Sequence, residues 1–162
     1  MAADGRKPEE YGAVFDSVSI CLSKGLGAPV GSVLIGNREI IRQGVRIRKL
    51  FGGAMRQAGF IAAAGIYAVK NNITRLADDH RNAAALADAL KECSITDQVQ
   101  YGGTNIIIFT LKPPVTAAEF LKKLAAKGIL ALKTGEKSIR MVTHLDVGEA
   151  EIKSACDILA SL

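Results

Sequence analysis

The chain has 162 residues, of which 49% are hydrophobic, and it carries a formal net charge of +5. With a mean hydropathy of +0.20, this is enough apolar material for one ordinary domain or two small lobes. No apolar run is long enough to span a membrane and no segment has the order of a signal peptide, so we expect a cytoplasmic protein that makes no membrane contact.

Cysteine and histidine are too sparse to indicate a disulfide framework or a metal centre. The three cysteines are widely spaced without a CxxC pair, and the two histidines lie far apart in the chain. We therefore predict no metal in the chemistry of this protein.

The first part of the chain is predicted to hold a helical turn and two strands. Residues 1–10 are polar and charged, and a helical turn is expected at Tyr11–Phe15. The runs Ser17–Leu22 and Ser32–Ile35 are short, apolar and rich in β-forming residues. This pattern predicts two buried neighbouring strands.

A single lysine, Lys24, follows the first of these strands and opens a glycine-rich turn. A lysine held where an apolar strand stops can be partly desolvated, which favours a neutral amine able to attack an aldehyde. Gly25, Gly27 and Pro29 fix a turn that a flat cofactor could approach closely. Spacing alone leaves open the more common role of such a lysine, a solvated strand end.

A basic helix is predicted over Asn37–Phe51. Asn37 is a suitable N-cap, and Gly52-Gly53 is expected to end the helix. Four cations share one face of it: Arg38, Arg42, Arg46 and Lys49. Such a face could bind phosphate or nucleic acid, but no aromatic interleaving or nucleic-acid motif accompanies it. A solvated face, or a subunit contact near an anionic ligand, is favoured, and we expect no nucleic-acid partner.

Two further helices flank a predicted domain boundary. Met55–Lys70 is apolar on nearly every side, which predicts a helix buried inside the domain or across subunits. Thr74–Glu92 has the pattern of an amphipathic helix. The polar junction between them divides the chain into part of a large domain, residues 1–72, and a small C-terminal domain, residues 73–162.

The C-terminal domain is predicted to be α+β. Thr116 and Glu119 have the spacing of a capping box, the Gly135 region is expected to form a turn between two strands, and Asp146 is expected to cap the last helix. The predicted order is strand, helix, strand, strand, helix: Thr104–Leu111, Thr116–Lys127, Ile129–Leu132, Ser138–Val142 and Gly148–Leu162.

Three segments carry a family resemblance: FDSVSICLSKGLGAPVGSVLIG around Lys24, RIRKLFGGAMRQAGFIAAAGIYAVKNNITRLADDH in the middle, and SIRMVTHLDV near the C-terminus. They resemble the low-specificity L-threonine aldolases, which are pyridoxal-phosphate (PLP) enzymes of the aspartate-aminotransferase fold, and the resemblance covers nearly the whole chain. It implies an α/β fold with a partial PLP-transferase large domain around the cofactor lysine, followed by a small α+β C-terminal domain. The implied activity is that of a carbon–carbon lyase, cleaving L-threonine or L-allo-threonine to glycine and acetaldehyde.

The resemblance also implies roles for particular residues. Lys24 matches the catalytic lysine that binds PLP as a Schiff base. Arg140 matches the arginine that binds the substrate carboxylate, for which a planar guanidinium is suited, although a strand arginine paired with a surface acid is the alternative. Arg56, a cofactor-binding candidate, and Lys49, a substrate-binding candidate, fall in the segment that reaches toward a neighbouring subunit's active site. His144 matches a position that we take to be structural.

Several family features are absent from this sequence: the glycine/serine loop for the cofactor phosphate, the histidine that stacks on the pyridine ring, and the segment whose aspartate pairs with the ring nitrogen. We therefore expect a truncated homologue that is weak or inactive alone, with a β-hydroxy amino acid as its small-molecule partner. The alternative is a non-catalytic assembly module, which pairs with a complete subunit or with a complementary N-terminal half. A homo-oligomer is also expected.

Overall fold

The computed structural model describes residues 2–162, and the chain divides into two compact units, Met1–Leu76 and Ala77–Leu162. The boundary predicted at residue 72 falls just before this division. Both units combine helices with strands, so the predicted α/β class is confirmed. Within the described residues, no helix is long and apolar enough to cross a membrane.

The first unit begins with a short helix and a two-stranded antiparallel sheet. Helix α1 spans Pro8–Gly12, strand β1 spans Ser17–Cys21 and strand β2 spans Ser32–Gly36. The helical turn predicted at Tyr11–Phe15 is wrong, because the helix starts earlier. Proline has the backbone φ angle of a helix and needs no N–H partner in the first turn, so the helix begins at the proline.

The prediction that both strands are buried is wrong. Strand β2 is exposed along its whole length, including the side chains of Val33, Leu34 and Ile35. Helix α2 (Arg38–Leu50) does lie close to this strand, since a Cβ added to Gly44 would stand 3.2 Å from Leu34 Cδ2. The sheet has only two strands in the described part of the chain, so no further strand covers its apolar side chains.

Helix α2 forms as the sequence predicts. The Asn37 side chain accepts a hydrogen bond from the Ile40 amide at 2.9 Å, which confirms the N-cap. After the helix, Gly52 has a φ of +75°, a left-handed conformation that favours glycine and ends the helical path.

Helix α3 differs from its prediction in both start and burial. It spans Gly59–Asn71 and does not begin at Met55, because residues 56–58 form a turn in which Gln57 has a φ of +49°. Only Gly65 and Ala68 are buried along this helix. The expectation of a helix buried inside the domain is therefore wrong within the described chain, where most of its apolar side chains remain exposed.

The second unit is a four-stranded antiparallel sheet packed with three helices. Its strand order is β3-β4-β6-β5. Helix α4 starts at the last residue of the first unit, and the elements follow one another as α4 (Leu76–Glu92), β3 (Thr96–Tyr101), β4 (Ile106–Leu111), α5 (Ala117–Ala126), β5 (Leu132–Lys133), β6 (Ser138–Val142) and α6 (Glu149–Ala160).

The C-terminal predictions are mostly correct. The bounds of β6 match the prediction, and helices α4, α5 and α6 are present. Strand β3 was not predicted. Strand β5 was predicted over Ile129–Leu132, but it consists of Leu132–Lys133. The turn at Gly135 is confirmed, since the Gly135 amide donates to the Ser138 carbonyl at 3.2 Å.

The two helix caps of this unit have different outcomes. At α5 the capping box is confirmed: the Glu119 amide donates to Thr116 Oγ1, and the Glu119 carboxylate accepts from the Thr116 amide at 3.1 Å. At α6 the prediction that Asp146 is the cap is wrong. The N-cap is Gly148, whose amide donates to the Glu151 carboxylate at 3.0 Å, so the helix start is already satisfied.

One continuous hydrophobic core fills the second unit. Phe109 of β4 and Phe120 of α5 meet edge to face, with ring centroids 6.0 Å apart. Other fully buried members of this core are Ala83, Ala87, Leu90, Ile107, Ala117, Leu124, Ile139 and Leu159. The core lies on one face of β6, which leaves the alternate residues of that strand on the opposite face.

Candidate functional site

The loop that follows β1 carries Lys24 and is closed by its own main chain. The Gly27 amide donates to the Lys24 carbonyl at 2.8 Å, and the Ala28 amide donates to the Leu22 carbonyl at 3.0 Å. Gly27 has a φ of +72°, a conformation that side chains rarely adopt, so glycine is required for this turn. The chain therefore leaves the strand and returns within a few residues, with Lys24 at the start of the turn.

Buried residues on either side of Lys24 fix this loop against the helices of the first unit. Leu22, Leu26 and Ala28 form a small core with Ala68 of α3. Helix α3 approaches closely, because a Cβ added to Gly65 would stand 3.0 Å from Leu22 Cδ1. The loop is therefore packed, although half of its residues are polar or glycine.

The side chain of Lys24 itself is exposed. It makes no hydrogen bond or ion pair with any other side chain in the described part of the chain. The desolvation expected of a lysine at the end of a buried strand is wrong here, because the strand is not buried. Lys24 is thus an accessible amine on a packed backbone.

Two carbonyls directly after Lys24 are bound by side chains from the junction of α3 and α4. Asn72 Nδ2 donates to the Leu26 carbonyl at 2.7 Å, and Arg75 donates to the Gly25 carbonyl at 3.2 Å. Neither Asn72 nor Arg75 was predicted as a site residue. Both lie about fifty positions from the loop, and only the fold brings them to it.

A thiol lies just before the lysine, at the end of β1. Cys21 Sγ is 3.5 Å from Ser23 Oγ, and this hydrogen bond, with one from the Ser23 main chain, holds the pKa of the Cys21 thiol below its usual value. The charge of Lys24 acts in the same direction with a smaller effect.

The two other cationic candidates of the first unit are both exposed. Lys49 lies in the last turn of α2, and Arg56 lies in the turns that precede α3. On the basic face of α2, Arg42 pairs with Glu39 at 3.1 Å, and both side chains are exposed. Exposed pairs of this kind contribute little to stability.

Arg140 lies in the second unit, in the middle of β6. In the sheet register it is opposite Ile108 of β4 and Leu132 of β5, and directly opposed residues of an antiparallel pair share one face. Arg140 Nε is buried and has no hydrogen-bond partner among the described residues. A buried donor without a partner is costly, so this atom is suited to an anionic ligand.

The end of β6 is tied to α4 within the same unit. Thr143 Oγ1 donates to the Asp79 carbonyl at 2.6 Å, and Asn105 Nδ2 donates to the Thr143 carbonyl at 2.9 Å. His144 is exposed, and its Nδ1 accepts a hydrogen bond from the Asp146 amide at 3.3 Å. Lys24, Lys49 and Arg56 thus belong to the first unit and Arg140 to the second.

The fold described above is also found in solved structures. The chain matches, over 99% of its length, a structure proposed to be an L-allo-threonine aldolase from Listeria monocytogenes EGD-E, with a TM-score of 0.78, 19% identity and 48% of that chain covered. It matches, over 90% of its length, ornithine aminotransferase from Toxoplasma gondii with partial occupancy of PLP, with a TM-score of 0.63, 18% identity and 36% of that chain covered. The fold is that of PLP-dependent aldolases and aminotransferases, as the resemblance implies.

The sequence identifies the family within this fold. Residues 2–112 match the beta-eliminating lyase family, and the chain belongs to it. The chain is 44% identical, over 154 residues, to the low-specificity L-threonine aldolase of Escherichia coli strain K12. That match covers 94% of this chain and 44% of the relative, so the chain spans less than half the length of the relative. The predicted resemblance to threonine aldolases is confirmed.

Proposed function

We propose that this chain carries the lysine-bearing part of a PLP-dependent aldolase that cleaves L-threonine or L-allo-threonine to glycine and acetaldehyde. The observation that carries the proposal is the Lys24 loop. Its amine is accessible, has no side-chain partner among residues 2–162, and is attached to a backbone fixed by packing and hydrogen bonds. The relatives named as threonine aldolases supply the substrate class. The proposed location is the cytoplasm.

The residues present fit PLP and an amino acid in their chemistry. An amine can hold an aldehyde covalently, and Arg56 supplies a positive charge suited to the phosphate of the cofactor. Arg140 Nε is buried and unpartnered, which suits a carboxylate, and Lys49 adds a second exposed cation for the substrate. When bound, PLP supplies an electron sink for the carbanion left by breaking a Cα–Cβ bond.

Each residue has a separate task in this proposal. Lys24 would hold PLP through its amine, and PLP would supply an aldehyde to which either this amine or the amino group of a substrate can bind. Arg140 would bind a carboxylate, since a guanidinium can form two parallel hydrogen bonds with it. Arg140 Nε itself is buried, and burial lowers the local dielectric and strengthens the attraction of the guanidinium for a carboxylate.

The test of Lys24 is the absorbance spectrum of the chain with added PLP, followed by borohydride reduction and peptide mapping. Lys24 Nζ adds to the aldehyde, water leaves, and hydride from borohydride makes the bond permanent. We expect the reduced adduct on Lys24, and its loss in Lys24→Arg, which keeps the charge. Lys70→Arg, at another exposed lysine of the same unit, should leave the adduct unchanged. An adduct spread evenly over the lysines would overturn the proposal.

The test of Arg140 needs no cofactor. The Nε–H resonance of Arg140 in a nitrogen–proton NMR spectrum should shift when glycine or acetate is added, because the unpartnered donor gains an acceptor. Arg81, an exposed arginine that pairs with Asp78 at 2.6 Å, is the internal control and should shift less. Equal shifts at the two arginines would remove Arg140 from the proposed substrate site.

A second candidate function, an assembly module, is favoured by the exposed apolar residues of the first unit. Phe60 is 93% exposed and Phe51 is 87% exposed, and Leu50, Met55 and Tyr67 are each more than 60% exposed. Large apolar surface of this kind is typical of a protein–protein contact. The proposed occupant is a second copy of the chain, a complete subunit or a complementary N-terminal half.

Sedimentation velocity over a range of concentrations tests this candidate. We expect self-association, and we expect Phe60→Ser to weaken it. Leu130→Ser is the matched control, since Leu130 is a comparably exposed residue of the second unit, at 86%. A monomer at all concentrations would exclude a second copy of the chain as the partner. Sedimentation of a mixture with an N-terminal half of a threonine aldolase, or with a complete subunit, would then test the other two partners.

A further inference from the structure

The Lys24 loop depends on two residues that lie far from it in sequence. Gly25 and Leu26 directly follow the lysine, and their carbonyls accept hydrogen bonds from Arg75 at 3.2 Å and Asn72 at 2.7 Å. Arg75 lies 50 positions after Gly25, and Asn72 lies 46 positions after Leu26. Both donors are at the junction of α3 and α4. Two consecutive carbonyls after the lysine are therefore bound by one short segment of chain.

These bonds matter because they restrain the backbone of a glycine-rich loop directly. Glycine has more accessible backbone conformations than any other residue, so a glycine-rich loop loses more entropy on ordering. The turn bond from the Gly27 amide to the Lys24 carbonyl fixes the loop locally, at 2.8 Å. The bonds from Asn72 and Arg75 fix the same turn relative to the helices.

Packing at the same junction strengthens this link. A Cβ added to Gly25 would stand only 2.8 Å from Leu76 Cδ2, so the residue after the lysine lies directly against the start of α4. Leu26 is buried in the small core with Ala68. The backbone beside Lys24 is thus held by a hydrogen bond and an apolar contact at each of two successive residues.

We propose that Asn72 and Arg75 are positioning residues for Lys24, which set the direction from which its amine meets an aldehyde ligand. The inference rests on the proposed function, since it assigns a purpose to the order of the loop. Neither side chain is required to touch the ligand. Holding a nucleophile in one orientation raises the rate of its reaction, and a small displacement of the backbone lowers it.

Neighbouring asparagines provide a matched pair of variants. Asn72→Ala removes the bond to the loop. Asn71→Ala removes a bond of similar length, 2.8 Å, from the adjacent side chain to the Tyr67 carbonyl of α3, which does not involve the loop. Asn72→Gln restores the donor on a longer side chain, and Arg75→Lys keeps the charge of the second donor. Circular dichroism establishes that each variant keeps its helices.

The first measurement is hydrogen exchange of the Gly27 and Ala28 amides in the chain without any ligand. Both amides donate within the loop. In Asn72→Ala we expect exchange at these amides to become about three- to tenfold faster, as the loss of one hydrogen bond implies. In Asn71→Ala the two amides should exchange at the rate of the unchanged chain. Equal rates in both alanine variants would overturn the inference.

The second measurement is the fraction of PLP trapped by borohydride on Lys24 relative to all other lysines. We expect this fraction to fall in Asn72→Ala, to recover in part in Asn72→Gln and to remain unchanged in Asn71→Ala. An unchanged fraction in Asn72→Ala, with faster exchange, would show that the loop order does not direct Lys24 and would also overturn the inference. If the unchanged chain gives no adduct on Lys24, the proposed function fails, whereas the exchange rates still report whether Asn72 orders the loop.

Discussion

The hydroxyl of Thr143 donates a hydrogen bond to the main-chain carbonyl of Asp79 at 2.6 Å, which links the end of β6 to helix α4. Both residues are buried, and Thr143 lies three positions after Arg140. The position of the arginine strand is therefore coupled to a helix that packs on the other face of the sheet.

Replacing Thr143 by valine keeps the shape of the side chain and removes the donor. We expect Thr143→Val to lower the free energy of unfolding by about 1 kcal/mol, because a buried hydrogen bond is lost. Thr143→Ser keeps the hydroxyl and should retain most of that hydrogen bond. Urea denaturation followed by circular dichroism measures both. A valine variant as stable as the unchanged chain would contradict the role assigned to this bond.

Replacing Gly27 by alanine should strain the lysine loop. At a φ of +72° an L-residue meets its own backbone, and we expect a loss of about 1 kcal/mol in the free energy of unfolding. Gly12→Ala is the control, since no atom lies within 4 Å of the added Cβ and its φ is not in the left-handed region. Denaturation of the two variants side by side tests this prediction, and equal stabilities would count against it.

Cys21 should react faster than the other cysteines. Hydrogen bonds from Ser23 lower the pKa of the Cys21 thiol, whereas burial raises the pKa of Cys156. At a given pH near neutrality more of Cys21 is therefore thiolate, which is the reactive form. We expect iodoacetamide to label Cys21 first, as followed by mass spectrometry of peptides.

The variant Ser23→Ala separates this cause from simple exposure. Without the serine hydroxyl the pKa of Cys21 should rise toward its usual value, so labelling slows at neutral pH and recovers at high pH. Ser19→Ala, on the same strand, should leave the rate unchanged. Labelling of Cys21 and Cys156 at one common rate in the unchanged chain would refute the prediction.

The capping box of α5 should make stability depend on pH. Hydrogen bonds from Thr116 lower the pKa of Glu119 in the folded chain below its ordinary value of 4.5. A lowered folded pKa means that ionised Glu119 stabilises the fold above pH 4.5, and that this stabilisation is lost as the pH falls through the folded pKa. The difference in unfolding free energy between the unchanged chain and Glu119→Gln should therefore shrink in acid.

Urea denaturation at several pH values between neutral and acid measures this difference. Glu149→Gln is the control, because it removes a first-turn acid of α6 that is not part of a capping box. A difference for Glu119→Gln that stays constant over the whole range would show that the carboxylate does not act as proposed.

Local sequence signals predicted those elements whose cause is local. The bounds of β6 and the capping box of α5 follow from short patterns, an apolar run and a threonine three residues before a glutamate. Strand β3 was missed because its sequence, TDQVQY, has few apolar residues and lies at the edge of the sheet, where only one neighbour is needed. The strand forms because it pairs with β4 and not because of its own composition.

The predictions that failed in the first unit concern burial. The apolar strands and the apolar helix were expected to be buried. Hydrophobicity shows only that burial of a residue is favourable, and it does not show that another part of this chain packs over that residue. The site residues also differ in whether the sequence alone could identify them. Lys24 and Arg140 stand in recognisable motifs, whereas Asn72 and Arg75 meet the loop only after folding, so no pattern in the sequence marks them.

The hydrophobic cores of the two units differ in size, so we expect the two units to open at different free energies. Among the residues that the structure describes, the core of the first unit has four buried apolar residues, whereas that of the second has fifteen. Regions with fewer buried contacts open at lower free energy, and a protease cuts the opened form. Under limited digestion the first unit should be nicked early, and a resistant fragment that starts near Ala77 should accumulate.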